Sequence, residues 1–387
     1  MTAAARAPTV AIVAGEASGD LLAASLVNAM HALDPSIRFA GVAGARMQAA
    51  GVECLYPVEK LAVRGYVEVL RHFREILGIR RALRARWLRD PPDLFIGVDA
   101  PDFNFSLEAD LRRSGVPTVH YVSPSIWAWR AQRMKKIRKA VTHMLALFPF
   151  EAPLYQQAGV PVTFVGHPLA DLLPAQPDRL AAREQLRLPR EATIVTLLPG
   201  SRESELEQHA SLFVRTARLI AVRRPDVLFL VPLVNRTTRT LFETALENDG
   251  APGLEMQLLF GHSHDALTAA TVGLVASGTA TLEAALLGCP MVIAYRVPAL
   301  TYRIMWPQRR LPYIGLPNVL AGEFIVPELL QDDATPENLA QALLNLIADP
   351  LVQRRVEARF SALRASLRRG AADAAARAIM PLLARAP

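Results

Sequence analysis

Short apolar or β-branched runs alternate with longer amphipathic segments along most of the 387-residue chain. This alternation is typical of parallel β-sheets whose strands are joined by crossover helices. It predicts strands at residues 9–14, 39–42, 93–98, 118–122, 143–147 and 163–165, and again at 193–198, 227–231, 257–259, 272–276 and 291–295. From residue 334 onward the pattern predicts helices. Ligands of such sheets bind at the carboxyl ends of the strands, so the loops that follow the strands are the candidate sites.

Two domains are the default for a chain of this length, because a single hydrophobic core rarely grows so large. Residues 168–189 contain four prolines and break the periodicity, so we predict that they link the domains. The predicted fold class is α/β, with two doubly wound Rossmann-like domains, an intervening cleft and C-terminal helices. The predicted boundaries are 1–170, 171–350 and 351–387, the last being helices that pack back on the N-terminal domain of their own chain or of a partner chain.

Composition excludes several classes of protein. Apolar residues make up 51% of the chain and charged residues 20%, which indicates a globular protein with large cores. No run of 18 apolar residues occurs, so we expect no membrane-spanning helix. The apolar run at 10–14 predicts a first strand and not a signal peptide. Cys54 and Cys289 are far apart and lack metal-ligand spacing, which indicates a reduced, cytoplasmic protein.

The net charge of +7 is concentrated in two segments. Residues 71–89 contain seven arginines and one acid, and residues 130–139 contain six basic residues and no acid. Such segments favour an anionic partner, namely nucleic acid, anionic lipid or a phosphorylated substrate, unless they are only solvated helix faces. No nucleic-acid-binding signature accompanies the charge, so we do not expect nucleic acid as a partner.

Ser277, Gly278 and Thr279 follow the predicted strand at 272–276 and open the next helix. At such a helix start, backbone N–H groups and the positive end of the helix dipole attract an anion, and hydroxyl side chains add donors. Glu283, one turn later, can accept hydrogen bonds from a sugar diol. The segment therefore predicts a site for the diphosphate of a nucleotide sugar.

A second candidate phosphate loop follows the predicted strand at 193–198. Gly200 gives the backbone room, Ser201 is a further candidate for binding the donor, and Arg202 lies at the mouth of the loop. A guanidinium there can bind a diphosphate through two hydrogen bonds and neutralise the charge that grows as it leaves. The alternative is a surface ion pair between Arg202 and Glu203 or Glu205.

Other polar residues of the second half have less specific patterns. Ser204 and Glu207 predict a capping box for the helix that follows the arginine loop. Asn318 and Gln331 interrupt apolar sequence, and we expect them to contact uracil or ribose.

A glycine-rich turn follows the first predicted strand and leads into a helix predicted at 21–33. It contains Glu16, Ser18 and Gly19, but it has neither the spacing of the dinucleotide fingerprint nor the lysine of a P-loop. Either these residues line the cleft, or this is a plain tight turn with Ser18 or Asp20 as the helix N-cap.

Two carboxylates and an amide follow the predicted strand at 93–98. Asp99 comes first, and Pro101 restrains the loop that continues to Asp102 and Asn104. A carboxylate at a strand end can take a proton from an acceptor hydroxyl, and Asp99 is our candidate general base. For Asp102 and Asn104, helix capping is the alternative to a place in the cleft.

The loop after the predicted strand at 118–122 contains Ser123, Trp127 and Trp129 beside a basic run. Tryptophans are costly to expose, so these two either pack in a core or domain seam or stack on a sugar. His167 closes the last strand of this half. It can polarise or deprotonate a hydroxyl near neutral pH, or it can be a neutral, hydrogen-bonded hinge residue.

These loops, taken together and in order, closely resemble those of the lipid-A-disaccharide synthase family. The matching segments are AGEASGD at 14–20, GVDAPDFN at 97–104, SPSIWAWR at 123–130, FPFE at 148–151, GHPL at 166–169, LLPGSR at 197–202, SGTATLE at 277–283 and LPN at 316–318. The resemblance implies the two-domain GT-B fold. It also implies inverting transfer of 2,3-diacylglucosamine from its UDP conjugate to the 6-hydroxyl of 2,3-diacylglucosamine 1-phosphate, with release of UDP.

The resemblance further implies roles for individual residues. The family's essential aspartate and arginine fall on Asp99 and Arg202, and no cofactor or bound metal is implied. The N-terminal domain then faces the acceptor and the second domain binds the UDP-sugar. A homodimer is implied as well. At Gly322-Glu323-Phe324 the chain departs from the family by lacking a basic residue after the glycine, which affects nearby donor contacts and not the reaction.

A lipid substrate offers an explanation for the first basic segment. An apolar stripe precedes and overlaps it, formed by Val67, Val69, Leu70, Phe73, Ile76 and Leu77. Such a segment is typical of an element that lies in an anionic membrane interface. We therefore expect a cytoplasmic protein bound peripherally to the inner face of the inner membrane, the alternative being that the stripe is buried on the sheet.

Two other functions remain as rivals. The first is a related GT-B enzyme of UDP-N-acetylglucosamine, either the transferase that makes the lipid intermediate of peptidoglycan or the 2-epimerase. The second is a basic membrane- or nucleic-acid-binding protein without catalysis. The loops at 97–104 and 123–130 argue against both.

Overall fold

A computed structural model describes residues 6–61, 66–127, 133–249, 254–298, 302–303, 306 and 311–383, with the backbone alone for 66–73. The chain forms two compact units. The first consists of Met1–Asp171 and Leu367–Pro387, and the second of Leu172–Ser366.

The first unit contains a sheet of seven parallel strands among the residues described. They are β1 (Thr9–Ala14), β2 (Arg38–Ala43), β3 (Val52–Pro57), β4 (Leu94–Val98), β5 (Thr118–Tyr121), β6 (His143–Ala146) and β7 (Val162–Phe164). Their order is β3-β2-β1-β4-β5-β6-β7, so successive strands are added on one side of β1 and then on the other. The point of reversal lies between β1 and β4, where doubly wound sheets bind their ligands.

Seven α-helices follow these strands, together with a 3₁₀ turn at Val58–Lys60. They are α1 (Ala17–Leu33), α2 (Ala45–Ala49), α3 (Tyr66–Arg89), α4 (Pro101–Arg113), α5 (Arg133–Ala140), α6 (Glu151–Gln157) and α7 (Pro168–Leu172), within the described ranges. Alternate residues of β1 face different layers. Ile12 packs in a cluster with α1, whereas Ala11 and Val13 pack with α3 and α4. A strand that is covered on both faces is apolar throughout, which explains why β1 stands out in the sequence.

The second unit contains a parallel sheet of six described strands. They are β8 (Thr193–Leu198), β9 (Val227–Leu233), β10 (Met256–Phe260), β11 (Val272–Ala276), β12 (Met291–Tyr295) and β13 (Glu328–Leu330), in the order β10-β9-β8-β11-β12-β13. The described helices are α8 (Arg179–Gln185), α9 (Glu203–Arg223), α10 (Arg236–Asp249), α11 (Ser263–Ala269), α12 (Thr279–Leu286), α13 (Leu316–Ala321), α14 (Pro336–Ala348) and α15 (Pro350–Leu367). Here the reversal lies between β8 and β11.

The last described helix, α16 (Ala371–Leu383), belongs to the first unit. Its residues Ala375, Ala376 and Ile379 are buried in the same cluster as α1. The carboxylate of Asp171 accepts hydrogen bonds from the N–H groups of Gly370 and Ala371, at 2.9 and 2.6 Å, and so caps the helix.

Helix α15 stays in the second unit, so the chain returns to the first unit at residue 367 and not at the predicted 351. The side chain of Arg364, buried near the end of α15, explains the difference. Its guanidinium donates hydrogen bonds to the carbonyl oxygens of Leu286 and, at 2.8 Å, Ala175, both in the second unit.

The predicted fold class of two Rossmann-like α/β domains with C-terminal helices is confirmed. Strands β1, β8, β11 and β12 have the predicted bounds. The edge strands β3 and β13 were not predicted, because one mixes polar and apolar residues and the other has three residues. The predicted linker at 168–189 contains the helices α7 and α8. No helix among the described residues is long and apolar enough to span a membrane.

Candidate active site

In the first unit, the loops after β1 and β4 meet beside the point of reversal. Gly15 allows their contact, because a Cβ atom there would lie 2.2 Å from the Cβ of Ala100. Gly19 packs against the end of β4, where a Cβ would lie 3.6 Å from the carbonyl oxygen of Val98. The predicted residues Glu16 and Gly19 are therefore brought next to the loop that carries Asp99.

The Asp99 loop has an unusual backbone. Asp99 and Ala100 have φ values of 53° and 43°, in the left-handed region that costs energy for residues with a side chain. The Asp99 N–H donates to the carbonyl of Tyr121 at 2.9 Å, and Nδ2 of Asn104 donates to the carbonyl of Asp99 at 2.8 Å. Pro101 then opens α4 at a position where its missing N–H costs nothing. These contacts hold Asp99 at the carboxyl end of β4.

Partial burial raises the pKa of the Asp99 carboxyl above its ordinary value. The negative charge of Glu16 raises it further, whereas the Ala100 N–H and the charge of His120 lower it. A carboxylate with a raised pKa takes up a proton more readily near neutral pH, as a general base must. The environment of Asp99 is suited to the predicted role.

Beneath this loop lies a buried polar cluster of Asn104, Glu108 and His120, of which the last two were not predicted. Nδ1 of His120 lies 2.7 Å from Oε1 of Glu108, and both side chains are fully buried. Gly97 makes room for them, because a Cβ there would lie 2.2 Å from Oε1 of Glu108. The sequence carries a weak signal, since Asn104 and Glu108 are four residues apart on one helix face.

The loop after β5 also has a strained backbone and is held by contacts with α6 and its first residues. Val122 has a φ of 81°, which is rare for a β-branched residue and places a second strained loop next to that of Asp99. The hydroxyls of Ser123 and Tyr155 lie 2.8 Å apart. Trp127 is half-buried, with its ring edge-on to Phe150 at 5.1 Å, so the packing alternative holds in part. Trp129 lies outside the described residues.

Glu151, at the start of α6, is buried and accepts a hydrogen bond from the N–H of Phe148 at 3.1 Å. Burial raises its pKa to about 7, although hydrogen bonds from Phe148, Ser123 and Trp127 act in the opposite direction. Sequence analysis gave this glutamate a place in a motif but no role. Its carboxyl ties the loop after β5 to that after β6.

The contacts of His167 favour a structural role. Its Nδ1 accepts a hydrogen bond from the N–H of Leu169 at 3.2 Å, and its ring stacks on Phe148 at 5.3 Å. Its N–H donates to the carbonyl of Leu367 at 2.9 Å. A ring that accepts at Nδ1 is a neutral tautomer with its proton on Nε2.

The remaining predictions for the first unit have mixed outcomes. Asp102 is exposed on the first turn of α4 and pairs with Arg133 at 2.9 Å. Glu16 is the N-cap of α1, so neither Ser18 nor Asp20 has the alternative role of N-cap. Ser18 is exposed, and Asp20 is buried and accepts hydrogen bonds from three N–H groups around the start of α2.

In the second unit, the loops after β8 and β11 flank the point of reversal. Gly200 has a φ of 135°, and a Cβ there would lie 2.4 Å from the Cβ of Glu205. The Glu205 carboxylate accepts hydrogen bonds from the N–H groups of Ser201 and Arg202, at 2.8 and 3.3 Å. The predicted capping box of Ser204 and Glu207 is wrong, because α9 begins two residues earlier with Arg202 as its N-cap.

The Arg202 side chain is 63% exposed and lies 3.3 Å from Oε1 of Glu205. The ion pair that was the alternative for Arg202 is therefore present. An exposed pair of this kind contributes little to stability, so an incoming diphosphate can displace it. Glu205 keeps the loop in place in either case.

Helix α12 begins at Thr279, with Gly278 as its N-cap. The first amides of a helix have no intrahelical acceptor and point along the axis, so they suit a phosphate oxygen. The Ser277 N–H is engaged with the carbonyl of Ala294 at 2.9 Å, whereas Thr279 is exposed. The predicted phosphate site therefore rests on the backbone after Ser277 and on the Thr279 side chain.

Glu283 has a partner that sequence analysis missed. Oε2 of Glu283 lies 3.3 Å from Nε2 of His264, on the first turn of the neighbouring helix α11. The hydrogen bond to Glu283 raises the pKa of His264 above its ordinary value, although partial burial acts in the opposite direction. No set of three or more His, Cys, Asp or Glu side chains in the described ranges is arranged to hold a metal ion.

Asn318 and Gln331 do not have the environment expected of uracil or ribose contacts. Asn318 is fully buried, and its amide makes four hydrogen bonds, to Ile325, Val326 and Glu328. The amide of Gln331 pairs with both the N–H and the carbonyl of Val297, at 2.7 and 3.0 Å. Both side chains hold loops at the end of the sheet, so the predicted direct contacts are corrected.

The predicted apolar stripe of α3 divides into three parts. Ile76 packs against the buried cluster that other residues of α3 form with Ala11 and Phe95 of the sheet, so it faces the core and not lipid. Leu77 is half-buried. The side chains of Val67, Val69, Leu70 and Phe73 lie outside the described residues.

Comparisons with a family model and with individual known proteins indicate the same family. A family model described as Lipid-A-disaccharide synthetase matches residues 10–380. A lipid-A-disaccharide synthase from Methylobacillus flagellatus is 54% identical over 376 residues, which are 97% of this chain and 100% of that protein.

Solved structures with low sequence identity share the fold. The glycotransferase of kitacinnamycin aligns with a TM-score of 0.64 at 17% identity, over 98% of this chain and 100% of that one. The Anabaena protein HepE, solved in complex with UDP and glucose, aligns with a TM-score of 0.54 at 11% identity, over 97% of this chain and 99% of that one.

Proposed function

The chain belongs to the lipid-A-disaccharide synthase family and is a glycosyltransferase, and we propose in detail how its residues carry out the transfer. The donor is UDP-2,3-diacylglucosamine and the acceptor is 2,3-diacylglucosamine 1-phosphate. The 6-hydroxyl of the acceptor attacks the anomeric carbon of the donor with inversion. The bond from that carbon to the diphosphate breaks, and the products are a β-1,6-linked disaccharide 1-phosphate and UDP.

Asp99 is the general base that takes the proton of the 6-hydroxyl. The observation that carries this assignment is its environment at the end of β4, with a left-handed backbone and a raised pKa. A carboxylate in a fixed position, whose pKa is closer to the working pH, transfers a proton more readily in the transition state. The acceptor lies against the loops that begin at Glu16 and Ser123.

Arg202 and the start of α12 stabilise the departing UDP. The guanidinium is largely exposed and tethered to Glu205 alone among the described residues, so it can turn to the diphosphate. A positive group that is in place before the bond breaks stabilises the charge that develops on the leaving oxygen. Glu283, oriented by His264, accepts hydrogen bonds from the ribose hydroxyls.

The enzyme works at the inner face of the inner membrane, where its acylated substrates reside, and acts as a homodimer. The exposed basic residues Lys135, Lys136, Arg138 and Lys139 of α5 support binding to an anionic surface. Reversing the charge of Lys135 and Lys136 will reduce sedimentation with vesicles that contain phosphatidylglycerol. The matched control reverses the exposed pair Arg354 and Arg355 on α15.

In the same assay, replacing Val67, Val69, Leu70 and Phe73 by serine tests the predicted apolar contact with the membrane. Unchanged sedimentation of both sets of variants would reject membrane docking through these two segments. Analytical ultracentrifugation with matching detergent controls tests the homodimer.

The decisive experiment follows UDP release from UDP-2,3-diacylglucosamine with and without the monosaccharide 1-phosphate. We expect release only when both substrates are present, together with the β-linked disaccharide. No release in the presence of both would reject the proposal. Turnover of UDP-N-acetylglucosamine instead would favour one of the rival enzymes.

A further inference from the structure

A buried acid and a buried histidine lie directly beneath the strand end that carries Asp99. Nδ1 of His120 lies 2.7 Å from Oε1 of Glu108, and neither side chain has exposed surface. Phe105 covers the imidazole with a ring distance of 4.5 Å. No residue role assigned so far uses this pair.

The Glu108–His120 pair is expected to lower the stability of the fold compared with apolar residues at the same positions. Oε2 of Glu108, Nε2 of His120 and Oδ1 of Asn104 are buried without a hydrogen-bond partner in the part of the chain that the structure describes. Burying such atoms costs free energy, and apolar side chains of similar volume often replace a buried ion pair without loss of stability. Apolar side chains in place of the pair would therefore leave the fold at least as stable.

The pair is connected to Asp99 through the backbone and through charge. Asn104, one turn before Glu108 on α4, donates from Nδ2 to the carbonyl of Asp99 at 2.8 Å. Gly97 lets Glu108 and Asn104 approach β4, because a Cβ there would lie 2.2 Å from Oε1 of Glu108 and 3.0 Å from Cβ of Asn104. A movement of Glu108 would therefore displace β4 and the Asp99 loop that follows it.

Among the described residues, two titratable groups act on the Asp99 carboxylate, and a third, Glu108, contacts one of them. Glu16 approaches from the start of α1 and makes the carboxylate harder to ionise. His120 approaches from β5 and makes it easier to ionise, and Oε1 of Glu108 on α4 lies 2.7 Å from Nδ1 of His120. Removing the imidazole leaves the Ala100 N–H as the one remaining group in the described ranges that opposes the effect of Glu16 on Asp99, and removing the Glu108 carboxylate takes away the partner of Nδ1 of His120.

We propose that Glu108 and His120 are positioning residues for the catalytic base, which together hold the Asp99 loop in its left-handed conformation and keep its carboxylate ionised and ready to accept a proton. This inference rests on the proposed function of Asp99. It assigns no contact with substrate to either residue.

The test compares three variants of the full chain with the wild type. Glu108→Gln keeps the shape and an acceptor oxygen but removes the charge. His120→Gln removes the imidazole, and Glu108→Leu combined with His120→Leu replaces the whole pair by apolar side chains. Asp110→Asn, on the surface of the same helix, is the control.

We expect each single variant to lower kcat by about tenfold, equivalent to about 1.4 kcal/mol in the barrier, with little change in KM for the donor. The acidic limb of the pH–rate profile should move to higher pH by about one unit, because Asp99 loses a favourable charge. The double leucine variant should melt at least as high as the single variants but should not regain kcat.

Recovery of kcat together with thermal stability in the double variant would show that the pair is only structural, and would overturn the inference. An unmoved acidic limb, or a double variant that does not fold, would count against it in the same way. A wild-type enzyme that releases no UDP would instead refute the proposed function, so the two failures are distinguishable.

Discussion

Nε2 of His264 lies 3.3 Å from Oε2 of Glu283, across the contact between α11 and α12. The carboxylate that we assign to the ribose is therefore held by an imidazole before the donor binds. A carboxylate fixed in this way loses less conformational freedom on binding than one that is free to rotate. We therefore expect His264 to contribute to donor affinity without being required to contact the nucleotide.

The first prediction concerns this pair. Glu283→Gln removes the negative charge that strengthens the hydrogen bond to His264 and raises its pKa, so that pKa should fall, as measured by NMR titration of the imidazole. The affinity for UDP, measured by calorimetry, should weaken by about tenfold or more because the ribose loses a charged acceptor. Glu243→Gln, which breaks an exposed pair with Arg239 on α10, is the control. Unchanged UDP affinity would exclude Glu283 from the ribose site.

The second prediction concerns the general base. Asp99→Asn and Asp99→Ala should lower kcat by a factor on the order of 10² to 10⁴, because the acceptor hydroxyl must then lose its proton to water. Donor affinity, measured by calorimetry with UDP, should be retained. Asp110→Asn, whose carboxylate pairs with Arg84 and Arg113 at the surface, should behave as the wild type. Comparable activity in the Asp99 variants would mean that another group takes the proton.

The third prediction concerns the leaving group. Arg202→Lys keeps the charge but not the planar fork that binds two oxygens at once, so kcat should fall by about a hundredfold. Arg215→Lys, further along α9 and paired with Asp249, is the matched control. A raised KM with unchanged kcat would instead indicate that Arg202 binds the donor equally well in its ground state and transition state.

The fourth prediction concerns the buried acid at the start of α6. Because the pKa of Glu151 is raised from 4.5 to about 7, the folded protein holds this proton more tightly than the unfolded chain. The stabilisation is fully present below pH 4.5 and is lost as the pH rises to about 7, a change on the order of 3 kcal/mol. Glu151→Gln keeps an acceptor oxygen for the Phe148 N–H and does not ionise.

The melting temperature of Glu151→Gln relative to wild type should therefore increase between about pH 5 and about pH 8. Thermal melts of both proteins in the same buffers provide the measurement. A constant difference across this range would show that Glu151 does not titrate in the folded protein.

The location of a residue could be predicted from the sequence where the topology of the sheet alone determines it. Parallel strands deliver their following loops to one edge of a sheet, so Asp99 could be placed at such an edge without knowledge of any contact. Prediction from the sequence failed where the partner of a side chain decides its role. Asn318 and Gln331 are polar residues in apolar sequence, and only the structure shows that their amides are used by neighbouring loops. Likewise Ile76 belongs to a stripe with two candidate faces, and only the packing shows which face is buried.

Helix α16 places a constraint on the order in which the protein can fold. Its apolar side chains complete the cluster around α1, yet they leave the ribosome only after the whole of the second unit. The second unit is continuous in sequence from Leu172 to Ser366, so it can close its core while the first unit still lacks one wall. Until residues 371–383 emerge, the face of α1 that they cover remains an exposed apolar surface on the nascent chain, which is prone to aggregate during synthesis.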